Sequence, residues 1–178
     1  MENKKWLNVE ELLAKYPNYH HYHLGITEVD PSKIIGLSRS PKEIANDAEM
    51  ASLMENVKRY GWKDHAPEGL HLIQFPDFTY SVCNGGNHRA YLANQLNLKC
   101  ISALVDVLIP ETILSVDCVL ELKELNRQYE LLAKNLRRLL GVPYDERKQQ
   151  ICDEMDALER EVQFLLKTEA LRSKLIDE

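Results

Sequence analysis

The chain has 178 residues, 44% hydrophobic and 28% charged, with a formal net charge of -6, a balance that fits one ordinary folded domain plus an extension and excludes a disordered polyelectrolyte. The acidic balance argues against broad contact with a nucleic-acid backbone. No apolar run approaches a membrane span, the opening Met1-Glu2-Asn3-Lys4-Lys5-Trp6 lacks the apolar core of a secretion signal, and Cys83, Cys100, Cys118 and Cys152 form no C-x-x-C pair, so a reduced, cytoplasmic setting is expected.

Residues 7–16 predict a short helix. Asn8 is its N-cap, Glu11 would complete a capping box, and Leu7 and Leu12 are spaced for a hydrophobic staple. The next stretch, Asn18-Tyr19-His20-His21-Tyr22-His23, is the most conspicuous polar cluster. In an extended segment His21 and His23 would share a face and offer two ligands. A tetrahedral site needs three or four, and no acidic or cysteine partner is near in sequence. The stretch is therefore read as a half-exposed aromatic loop, and no metal is assigned. Residues 30–35 read as a turn and a short extended piece. Ser40, Pro41 and Glu43 form a helix start with cap, first-turn proline and capping-box acid.

Residues 47–60 predict a helix that buries Met50, Leu53, Met54 and Val57 and stops at Gly61. The polar loop that follows carries Asp64, His65 and Glu68, candidates for a general base or a metal contact. Residues 70–75 and 78–83 predict two strands around Pro76-Asp77, and residues 100–107 predict a third, mostly apolar and buried.

Between the second and third strands lies Val82-Cys83-Asn84-Gly85-Gly86-Asn87-His88-Arg89-Ala90-Tyr91-Leu92-Ala93, a strand end, a glycine turn and the start of a helix over 87–97. Gly85 and Gly86 permit backbone angles that other residues avoid. A glycine turn feeding a helix leaves backbone N–H groups at the positive end of the helix dipole, which suits an anion such as a phosphate. His88 and Arg89 add donors, and arginine matches phosphate oxygens with a two-pronged hydrogen bond. The direct contact is expected from Arg89, with little contribution to packing. A purely structural strand–turn–helix corner would use small residues as well. The glycine spacing fits neither a P-loop nor a Rossmann turn.

Gly85-Gly86-Asn87-His88-Arg89, followed by Ala93, Gln95 and Leu96 and then Ile101 to Val107, resembles the ParB/sulfiredoxin-like superfamily over roughly residues 28–108. Sulfiredoxins carry Gly-Gly-Cys-His-Arg at this turn; ParB-type partition proteins and free-serine kinases carry a related Gly-x-x-Arg or Gly-x-His-Arg turn. The resemblance implies that Gly85, Gly86, Asn87, His88 and Arg89 grip nucleotide phosphates, with ATP or CTP and Mg2+ as the expected ligands. It also implies that the third strand lies beside the strand entering the glycine turn. ParB-like domains begin with a stretch leading to an arginine, and Arg39 stands about there, either as a second phosphate ligand or as a solvated residue before a helix. Asn87 occupies the sulfiredoxin cysteine position, and an amide cannot replace a thiolate nucleophile, so the chain is not read as a sulfiredoxin reductase. Cys83 is read as a buried packing residue. Free-serine kinases depend on a glutamate upstream of the turn, whose equivalent has no assigned position here.

Beyond Pro110 the composition changes. Leu122, Leu125, Tyr129, Leu132, Leu136 and Leu139 form a heptad seam, Gly141-Val142-Pro143-Tyr144-Asp145 breaks it, and Ile151, Met155, Leu158, Val162 and Leu165 form a second. The expected fold class is thus α+β: a small mixed-sheet domain over 1–110, then a long antiparallel helical hairpin over 111–178. Partition proteins instead follow this domain with a helix-turn-helix, so sequence-specific DNA binding is not expected.

The leading functional reading is nucleotide-phosphate binding, extending to kinase- or NTPase-like phosphoryl transfer, with Asp47, Glu49, Asp64 and Glu68 as candidate acids. The alternative is a non-enzymatic scaffold in which the hairpin serves dimerisation or a protein partner. A nuclease or DNA-binding role ranks last, because the chain is acidic and lacks a carboxylate cluster at metal spacing. No membrane partner is expected.

Overall fold

In the computed structural model, which describes residues 4–141 and 144–177, six strands form one mixed sheet. They are β1 (Leu7–Asn8), β2 (Tyr19–Val29), β3 (Ile34–Leu37), β4 (His71–Gln74), β5 (Tyr80–Asn84) and β6 (Ile101–Pro110), in the order β1-β3-β5-β4-β6-β2. β4 and β5 pair antiparallel, as expected of a hairpin, while β1–β3, β3–β5 and β4–β6 are parallel. The helices are α1 (Val9–Leu13), α2 (Pro41–Ala45), α3 (Ala48–Tyr60), α4 (Asn87–Gln95), α5 (Val116–Arg138) and α6 (Glu146–Arg172). The chain divides into two compact units, Met1–Leu108 and Ile109–Glu178.

Strand alternation splits the first unit's core into two layers. Leu72, Val82, Ala103 and Val105 point into a buried cluster with Ile44 of α2, Met50 of α3 and Ala90, Leu92 and Ala93 of α4. Ile73, Phe75 and Leu108 point the other way and meet Leu12 of α1, with Leu7, Tyr19 and Cys83 packed against them. Leu7 and Leu12 thus share one apolar cluster, as the staple requires.

Local signals are largely obeyed. Ser40 and Glu43 make a full reciprocal capping box at α2, and Asp47 caps α3, which ends at Gly61. Met50 is buried and Leu53 and Val57 pack against the core, but Met54 is on the exposed side. Asn8 caps α1 through the Glu10 amide rather than through a box, and Leu7–Asn8 is extended because it pairs with β3.

Two expectations are corrected. The histidine-rich stretch is not a loop but the first half of the 11-residue strand β2, which ends the sheet order and carries Gly25 at a φ of +91°. Its polar aromatic residues hide the strand from hydrophobic patterning, because each is only partly buried. Secondly, β6 lies beside β4, not beside β5. Both sides of β5 are already occupied, by β3 and β4.

The second unit is the expected hairpin of α5 and α6, packed antiparallel. Of its breaker, Val142 and Pro143 lie outside the described residues, while Asp145 caps α6 through the Lys148 amide. Leu122 and Leu125 of the first seam and Ile151 of the second are buried. Tyr129 hydrogen-bonds Glu159 across the hairpin, which together with burial pushes its phenol above the ordinary range. Glu169 accepts from Ser115 Oγ and Arg172, which hold its carboxyl below the ordinary range although burial works the other way. No helix among the described residues is long and apolar enough to cross a membrane.

The hairpin yields a direct prediction. Leu125 is 6% exposed, so Leu125→Asp removes a buried side chain and buries a charge, at a cost of at least ~2–5 kcal/mol. Circular dichroism should show lost helix and an earlier melt.

Candidate functional site

The glycine turn is built by close approach. Gly85 and Gly86 both adopt left-handed backbone, with φ of +74° and +79°. A Cβ on Gly86 would stand 2.6 Å from Leu70 Cα and 2.9 Å from the Gly69 carbonyl, whereas one on Gly85 would meet nothing nearer than 3.5 Å. Gly86 is the N-cap of α4 and offers no side chain to its first amides. Those amides and the positive end of the helix dipole therefore lie at the turn, as anion binding requires.

The three polar residues that follow point to three different segments. Asn87 is buried; its Oδ1 accepts from the Ser38 and Arg39 amides at 3.0 and 3.4 Å, and its Nδ2 donates to Ser38 Oγ at 2.9 Å. His88 sits between two carboxylates at the start of α3, with Nε2 3.2 Å from Asp47 Oδ2 and Nδ1 3.6 Å from Glu49 Oε2. The Nε2 atom is buried, yet it makes no aligned hydrogen bond. Arg89 donates from Nη1 to the Ala66 carbonyl at 2.6 Å and from Nη2 to Asp64 at 2.8 Å. Asp64 also accepts from Trp62 Nε1 and the Ser102 amide, both at 3.0 Å.

These contacts divide the candidates. Arg89, Asn87 and Asp64 fasten the loops around the turn, so Arg89 carries more of the fold than its place at a helix start suggested. Arg39 belongs with His88: its Nη2 lies 3.1 Å from Asp47 Oδ2. Arg39, Asp47, Glu49 and His88 thus converge from three separate helix starts. Asp47, Glu49 and His88 each offer one ligand atom within 4.8 Å of the others. His65 and Glu68 are exposed and join no such group. The Asp47 carboxyl is held below its ordinary range, chiefly by the Glu49 amide, against slight desolvation, and further by Arg39 and His88. It is therefore an ionised cation ligand or ion-pair partner at neutral pH rather than a proton donor.

On the sheet's other layer the fold assembles a cluster that sequence reasoning missed. Asp106 of β6 is 8% exposed. Its two oxygens meet His23 Nδ1 of β2 at 2.7 Å and His71 Nε2 of β4 at 2.8 Å. The sequence did hold a signal: a carboxylate inside an otherwise apolar strand must find partners when it is buried. Cys83 lies on the same layer, half-buried; its thiol donates to the His71 carbonyl and is pushed up to about 11 by burial and the nearby Asp106 charge.

No family model, no curated protein and no solved structure matches this chain.

Two outcomes follow from the turn. Gly86→Ala should destabilise more than Gly85→Ala: both meet a left-handed penalty of about 1–2 kcal/mol, but only the first also collides with Leu70. Urea denaturation of the pair measures the difference. As pH falls through the depressed pKa of Asp47, its cap and its Arg39 pair should be lost, whereas above the ordinary carboxylate range both are intact. Carboxyl-carbon NMR should show Asp47 titrating lower than an ordinary aspartate and moving up in Arg39→Ala.

Proposed function

We propose that the start of α4 binds the phosphates of a nucleotide together with a divalent cation. The observation that carries this reading is the convergence of Arg39, Asp47, Glu49 and His88 at the first turn of a helix entered through two left-handed glycines. The first amides of α4, His88 and Arg39 supply donors of the kind that hold phosphate oxygens. Asp47 and Glu49 supply hard oxygen ligands suited to Mg2+, which commonly binds through one or two carboxylates plus substrate phosphates. His88 Nε2, buried without an aligned partner, would gain one from a phosphate oxygen. In this reading Asn87 and Arg89 shape the cradle: Asn87 holds Arg39's backbone, and Arg89 holds the loop that carries Asp64. ATP or CTP is the expected ligand, and phosphoryl transfer or hydrolysis is the chemistry that such a site could support.

A second reading, a scaffold acting through the hairpin, draws on a different observation. Val116, Leu120, Leu131 and Phe164 of the second unit are each more than half exposed, and exposed apolar side chains are common at protein interfaces.

Calorimetry separates the two. ATP and CTP, each with Mg2+, should bind the wild-type chain. Arg39→Ala should weaken binding at least tenfold, since a charge-assisted hydrogen bond contributes ~1.5–3 kcal/mol. Asp47→Asn should weaken it mainly when Mg2+ is present. No heat at millimolar nucleotide, or equal binding by all three proteins, would leave the scaffold reading ahead.

A further inference from the structure

The helical hairpin is closed along only part of its length. Where α5 begins and α6 ends, Leu122 and Leu125 of α5 and Leu166 and Ala170 of α6 are buried. Toward the turn the seam stays open. Ile151 is buried there, but Leu132, Leu136 and Leu139 of α5 and Met155 and Leu158 of α6 are only half-buried, and Leu131 beside them is 54% exposed. Two helices cannot cover both flanks of their own seam, so apolar surface of this kind is normally closed by further helices. Charge decides what can close it. Residues 123–138 of α5 hold Lys123, Arg127, Lys134, Arg137 and Arg138 against two glutamates, while residues 153–161 of α6 hold Asp153, Glu154, Asp156, Glu159 and Glu161 against one arginine. The hydrogen bond between Tyr129 and Glu159 sets the two stretches at one level of the hairpin. Arg127 and Arg137 pair with Glu124 and Glu130 of their own helix, and among the described residues none of these ten charges forms an ion pair across to the other helix.

We propose that the turn-side half of the hairpin pairs with a second copy of this chain, α5 of each copy lying against α6 of the other in a four-helix arrangement. The hairpin carries one cationic and one anionic helix, so its surface is complementary to itself. A two-fold axis brings the same patch of both copies together, and α5 against α6 then occurs twice, with opposite charges facing both times. The arrangement of α5 against α5 and α6 against α6 would instead oppose like charges at both contacts. The apolar residues left open along the seam supply the burial, and the charges fix which helix meets which. This inference rests on the scaffold reading, in which the hairpin is the working surface, and gives that surface its occupant. Nucleotide binding at α4 bears on it neither way.

The test is sedimentation equilibrium of the full chain, with circular dichroism to report folding. Wild type should be a dimer whose dissociation constant rises with salt. Leu131→Ser changes an exposed side chain, so the hairpin keeps its helix while dimerisation weakens about tenfold or more. Lys123→Glu, Lys134→Glu and Arg138→Glu together make both helices anionic; Glu154→Lys, Asp156→Lys and Glu161→Lys together make both cationic. Each triple variant alone should be monomeric where wild type is dimeric, and an equal mixture of the two should give a mixed dimer, because every α5 then meets an α6 of opposite charge. A wild-type monomer throughout would overturn the proposal and leave a different protein as the occupant on the scaffold reading. A dimer indifferent to Leu131→Ser and to both charge reversals would place the contact elsewhere and overturn it too, as would folded triple variants that remain monomeric when mixed.

Discussion

The approach of Gly86 to the Gly69–Leu70 backbone is the constraint from which the rest of the first unit's polar architecture follows. Nothing larger than a hydrogen fits there, so the chain can turn from β5 into α4 only at that point and at that depth. The helix start is then fixed in rotation. Asn87 must face inward to Ser38 and Arg39, His88 must face the head of α3, and Arg89 must face the loop at Asp64 and Ala66. Three successive side chains so gather three segments that lie far apart in sequence, and each contact is charged or buried enough to matter.

What the sequence disclosed was what is decided locally. The cap at Ser40, the helix read over 47–60, the strand pair around Pro76-Asp77 and the two leucine seams rest on spacings of two to seven residues, which chemistry reads without the rest of the chain. What it concealed depends on pairing across the sheet. His23 and Asp106 are separated by 83 positions, and Asn87 and Ser38 by 49; no local period links them. β2 was concealed for another reason. Its first five residues are aromatic or histidine, and the first four are all half-buried, so the alternation that marks a strand is muted. Arg89 was misjudged in weight because exposure at a helix start is the usual fate of arginine, and only the strand order brings the Asp64 loop under it.

The two polar clusters solve the burial of charge differently. Around His88, carboxylates and Arg39 sit at helix starts with partial access to water, where pairing is cheap and exchangeable. Around Asp106, a single carboxylate inside the sheet is compensated by two imidazoles from neighbouring strands, where removing any partner leaves an unmatched group in an apolar setting.

β2 also has a bearing on how copies of this chain behave in a crowd. It closes the sheet order with 11 residues and, among the described residues, no strand beyond it. A long strand edge can serve as a template for another molecule's backbone, and proteins commonly blunt such templates with kinks or charge. Gly25, with its positive φ, breaks the regular extended run between Leu24 and Ile26. The strand that holds one side of the Asp106 cluster is thus also the strand in which a positive-φ glycine interrupts the end of the sheet.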